Sequence, residues 1–189
     1  MSRISLPTPD QMDEAQRRVH DKVVSGRRGK IVGPLRAALH SPELAEHWQA
    51  LGGFLRYNTS LPPRLSELAI LVTGRACQSP FEWYAHKLEA DKIGIDPAVI
   101  EALLAQRTPE GLEADAAVVV RFAQELNQHR SVSDATYAEA LALLGTRTVV
   151  ELTALVGYYT MVAMTLNAHE IPLPEGEVPA FPLPQEAWR

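Results

Sequence analysis

No stretch of this chain alternates apolar and polar residues over the roughly four to eight positions that a half-buried strand needs, and helix starts recur instead. Thr8-Pro9-Asp10-Gln11 sets a hydroxyl, a proline at the first helical position and a glutamine three residues on, a capping box for a helix through about Val24. Ser41-Pro42-Glu43 opens a second helix with Leu44, Trp48, Leu51 and Leu55 at helical spacing, after a short helical turn from Pro34 to His40. Leu61-Pro62-Pro63 forces extended backbone ahead of the mostly apolar RLSELAILVTGRAC, which reads as a buried helix. Ser79-Pro80-Phe81-Glu82 is a further capping box, whose helix stops at Gly94. Asp96-Pro97 caps a short helix, Glu113 to His129 forms a long one, and Ser133-Asp134 opens another that ends at Gly145. The predicted fold class is therefore all-α.

The last helix, Val149 to Ala168, nearly has the length of a membrane span. Glu151 and the small and hydroxylated residues within it make a buried core or interface helix the preferred reading, because polar groups are costly in lipid. Beyond Glu170 the sequence IPLPEGEVPAFPLPQEAWR is too rich in proline to be helical, and Phe181 and Trp188 suggest a tail lying along a neighbouring surface. The 189-residue length makes one domain the expectation, with residues 1–170 as the helical body and 171–189 as the tail.

A net charge of −5 with 22% charged residues offers no basic excess for a phosphate backbone, so nucleic acid is not an expected partner. Prolines and charges interrupt the start where a secretory signal needs an apolar run, and a cytoplasmic address is expected by default. His20, His40, His47, His129 and His169 are scattered without metal-ligand spacing, no Gly-rich phosphate loop follows a strand, and no metal or cofactor is expected.

Three features carry candidate chemistry. Glu82 and His86 are four residues apart and share a helix face, so the carboxylate can accept a hydrogen bond from the imidazole and orient it as a general acid or base. Alternatively Glu82, at the third helical position, reaches back to the backbone as a cap. Glu67 stands alone in LSELAILVTG, either as a buried acid or as the surface ion-pair partner of Arg64. Cys77, the single cysteine, lies between two helices, either as a nucleophile near a helix N-terminus or as a buried structural thiol. Trp48, Trp83, Tyr158 and Tyr159 read as core or interface aromatics.

The succession LPPRLSELAILVTGRACQSPFEWYAHKLEADKIGIDPAVIEAL, with an ELAIL helix followed by EWxxH, resembles the carboxymuconolactone decarboxylase family within the AhpD-like superfamily. The resemblance extends from about Gly33 to Pro174 and implies an AhpD-like bundle of roughly eight helices. In the peroxidase branch of that superfamily an acid, a CxxC pair and a histidine form the site. Here Glu67 and His86 match the acid and the histidine, while Ser79 and Glu82 occupy the cysteine slots and Cys77 falls two residues early. The chain thus resembles the decarboxylase-like branch. That resemblance implies a cofactor-free lyase or isomerase acting on a small lactone-like or unsaturated carboxylic acid. In it His86 is the acid/base, Glu82 orients it, Glu67 is a second acid, Trp83 walls the pocket, and Arg64 or Arg75 clamps a carboxylate. A single-cysteine peroxidase using Cys77 is the alternative activity. A non-catalytic helical module would instead leave Glu67 and His86 in separate environments. The family resemblance also implies a homo-oligomer, with the last helix and the tail as its interface.

Overall fold

The computed structural model describes residues 2–182, and among them every regular element is helical. A 3-10 turn at Pro9–Gln11 precedes eight α-helices: α1 (Glu14–Ser25), α2 (Gly33–Ala38), α3 (Pro42–Tyr57), α4 (Pro63–Ala76), α5 (Pro80–Lys92), α6 (Pro97–Leu104), α7 (Ala114–His129) and α8 (Asp134–Ala168). The first helix starts later than its capping box suggests. Thr8 and Gln11 do pair, but they close only the 3-10 turn. A second box, Asp13 with Gln16, then starts α1, its carboxylate accepting the Gln16 amide at 2.8 Å.

The chain forms two compact units. The first comprises, among the described residues, 2–58 and 165–172, where α1 and α2 pack on α3 and bury Val19, Val23, Leu35, Leu39, Trp48 and Leu55. The second comprises, among the described residues, 59–164 and 173–182, and α4 is its centre. Every α4 residue from Leu65 to Gly74 is buried, and the helix packs against α5, α6 and α7. Leu68, Ile70, Leu71, Trp83, Phe122, Leu152 and Leu155 fill its core.

The apolar run forms the later part of α8, a helix long and apolar enough to cross a membrane. Gly145 breaks that helix with φ 78°, ψ 161°, where the sequence places a stop. Past the break, Leu152, Leu155, Val156, Tyr159 and Val162 are buried in the protein, and Glu151 is buried with them. Its Oε2 accepts the Ser60 amide at 2.6 Å and the Ser60 hydroxyl at 2.5 Å, so its charge is met by protein donors. The tail returns to the second unit at Phe181, which is buried edge-on against Trp83 with ring centroids 6.3 Å apart. Trp188 lies outside the described residues.

Candidate functional site

The turn between α4 and α5 positions the site. Gln78 adopts φ 49°, its amide donates to the Arg75 carbonyl at 3.1 Å, and the Ser79 amide donates to the Gly74 carbonyl at 2.9 Å. These two bonds are a Schellman end for α4, and Ser79, its last member, is also the residue ahead of α5. The new helix therefore begins directly against the old one. The contact is tight: a Cβ on Gly74 would stand 3.3 Å from the Glu82 Cβ and 3.5 Å from the Trp83 amide nitrogen.

This close approach brings Glu67 of α4 to His86 of α5. His86 Nδ1 and Glu67 Oε2 share a short hydrogen bond of 2.6 Å, and Nε2 lies 3.5 Å from Glu82 Oε2. The imidazole is thus bracketed by two carboxylates, one on each nitrogen. All three side chains are buried, with His86 and Glu82 each 4% exposed and Glu67 8%, so Glu67 is the side nearest solvent. Tyr159 of α8 completes the enclosure, its ring edge-on to the imidazole at 4.9 Å.

The geometry revises several expectations. Glu67, and not Glu82, makes the short hydrogen bond that orients His86, because contact across the helices places it closer than the four-residue spacing within α5 does. Arg64 pairs with Asp115 at 3.0 Å and Glu113 at 3.2 Å, which leaves Glu67 to the histidine. The capping box expected at Ser79 does not form: the Ser79 hydroxyl makes no cap bond and is fully buried without a hydrogen-bond partner among the described residues. The separate environments expected of a non-catalytic module are likewise not found.

Trp83 is buried, and its ring packs on Phe181. Cys77 caps the end of α4, and its Sγ approaches Asn127 Oδ1 at 3.9 Å. Burial pushes this thiol up from its ordinary value and the Glu82 charge adds to the rise, while a hydrogen bond with Thr160 and the charge of Arg130 act against it. The rise favours the thiol over the thiolate, and only the thiolate is a strong nucleophile. Tyr159 was legible only as a core aromatic, since a residue so distant in the chain from His86 carries no spacing signal. No group of histidine, cysteine and carboxylate side chains suited to a metal ion occurs among the described residues.

Solved structures share this helical fold. An alkylhydroperoxidase AhpD core protein described as peroxidase-related, from Ralstonia eutropha JMP134, superposes with a TM-score of 0.76 at 16% identity, covering 94% of this chain and 97% of its own. A peroxidase-related protein from Silicibacter sp. TM1040 gives 0.74 at 16% identity, with 90% and 91% covered. The debrominase Bmp8, solved with 2,3,4-tribromopyrrole, gives 0.69 at 11% identity, with 92% and 91% covered. At these identities the likeness is one of fold. No curated protein matches the chain. Residues 42–125, which hold α3 to α6 and the three site residues, match the model of the Carboxymuconolactone decarboxylase family.

Proposed function

We propose that the protein is a cofactor-free lyase or isomerase that moves a proton on a small lactone or unsaturated carboxylic acid, with His86 as its general acid/base. The observation that carries this reading is the bracketing of one imidazole by two buried carboxylates. With Nδ1–H donated to Glu67, the other nitrogen is left facing Glu82, and 3.5 Å is longer than a settled hydrogen bond. One proton shared between Nε2 and the Glu82 carboxyl is therefore the mobile one. In decarboxylation the carbon–carboxylate bond breaks, carbon dioxide leaves, and the electron pair delocalises into the unsaturated system. That carbanion takes the shared proton, which water then replaces. Glu67 keeps the ring in one tautomer throughout.

The test is turnover of a panel of small lactones and unsaturated carboxylates, followed by carbon dioxide release and loss of ultraviolet absorbance. His86→Ala is expected to lower turnover of any substrate found by about 10²- to 10⁴-fold. Glu67→Gln, which keeps the shape but loses the charge, is expected to fall between that variant and wild type. Unchanged turnover by His86→Ala would refute the assignment.

The reading includes a homo-oligomer. Val150, Ala154, Gly157, Met161 and Met164 repeat at alternating four- and three-residue intervals on the exposed face of α8, and no charged residue occurs from 152 to 168. This is the pattern of a helix seam between copies. Sedimentation velocity at micromolar concentration tests it, and a monomer would remove it.

A further inference from the structure

A cavity of about 530 Å³ opens on a different face of α4 from the one that carries Glu67. Glu67 and Gly74 are seven residues apart and share the face turned to α5, whereas Val72 and Ala76, four apart, share another and line the cavity with Arg75. Leu103, Gln106 and Thr108 contribute from the end of α6, and Gln124, Asn127 and Gln128 from α7. Apart from Arg75 the lining is uncharged, and four of its residues are carboxamides.

The Arg75 guanidinium is held on two sides. Its Nε donates to the Leu104 carbonyl at 2.8 Å, and Phe181 of the tail lies against its face, 4.5 Å from the ring centroid. Among the described residues no carboxylate pairs with it, whereas Arg64, the other arginine on α4, is already committed to Asp115 and Glu113. The two terminal amino groups remain, and they present the planar end-on fork that matches a carboxylate. Since the lining carries one cation, a monoanion balances its charge. Gln106, Gln124 and Gln128 can hydrogen-bond polar groups on the rest of the ligand, and the volume lies within the usual range for small-molecule sites.

We propose that this cavity binds a small organic monocarboxylate, with Arg75 as the anchor of its carboxylate. The site is distinct from the Glu67–His86–Glu82 group and does not depend on the activity assigned to it. One wall residue does connect the two regions. Asn127 donates to the Thr73 hydroxyl at 3.1 Å and accepts from Cys77, whose thiol senses the charge of Glu82.

Calorimetric titration of the full-length protein with benzoate, and with benzamide as the neutral analogue of the same shape, tests the proposal. Wild type is expected to bind benzoate saturably and at least about ten-fold more tightly than benzamide. Arg75→Gln is expected to lose that preference. Gln124→Phe, which fills the cavity from a half-buried position without touching Arg75, is expected to lose both ligands while unfolding at a temperature close to that of wild type. His86→Ala is expected to bind as wild type does. The proposal is overturned by benzoate and benzamide binding alike, by Arg75→Gln or Gln124→Phe binding benzoate as wild type does, or by no saturable binding at millimolar concentration. It is also overturned if His86→Ala loses benzoate while Arg75→Gln keeps it, since benzoate would then occupy the acid/base site.

Discussion

Within α5 the interval between Glu82 and His86 ensures that they are neighbours, and it leaves open which group takes which ring nitrogen. That choice is made by Glu67, nineteen residues before His86, which reaches Nδ1 across the helix contact. That Glu67, Glu82 and His86 lie together was thus legible in the chain, while which carboxylate faces which ring nitrogen was not. Cys77 shows the same division from the other direction. A cysteine near a helix start is compatible with either an activated or an inert thiol, and the surroundings favour the second, burial being the largest influence. Cys77 is accordingly expected to react with iodoacetamide at pH 7.5 more slowly than a free model thiol, followed by intact mass. Faster reaction would show that the thiol is activated and revive the peroxidase reading.

At the scale of elements, the helix starts and stops were legible because they rest on local chemistry: prolines after polar residues, and glycines where φ turns positive, as at Gly94 and Gly145. The Schellman turn at Gln78 was not, since glutamine carries no signal for a left-handed conformation. Nor was the difference between two helical glycines. A Cβ on Gly53 in α3 would meet nothing within 4 Å, whereas on Gly74 it would press on Glu82 and the α5 backbone. Gly53→Ala is therefore expected to stabilise the protein by about 1 kcal/mol through helix propensity. Gly74→Ala gains the same propensity, yet it is expected to destabilise on balance, because overpacking costs about 1–3 kcal/mol. Urea unfolding midpoints check both, and equal stabilisation by the two would contradict the contact at Gly74.

For the whole molecule, the acid side of its stability is set by carboxylates whose partners exist only in the fold. Burial pushes Glu151 upward, but the Ser60 hydroxyl and amide together with Arg147 outweigh it and hold the group below its ordinary value of 4.5. Hydrogen bonds from the Thr136 hydroxyl and the Ser133 amide, the largest influences, likewise lower Glu125. A folded-state value below the unfolded one means that the stabilisation is present above about pH 4.5 and is lost as pH falls through the folded value. Thermal midpoints are expected to decline on acidification in that window. Glu151→Gln is expected to cost about 1–3 kcal/mol at pH 7 and to make the decline shallower. An unchanged acid profile in this variant would show that Glu151 does not contribute. The tail offers a different opportunity, one of measurement. Trp83 is sealed, its indole nitrogen has no hydrogen-bond partner among the described residues, and Phe181 is its aromatic neighbour. Phe181 also covers the guanidinium of Arg75. With Trp48 and Trp188 replaced by phenylalanine, the fluorescence of Trp83 alone would become an intrinsic optical gauge of tail docking. Emission shifting to longer wavelength would report in real time when the segment over Arg75 lifts.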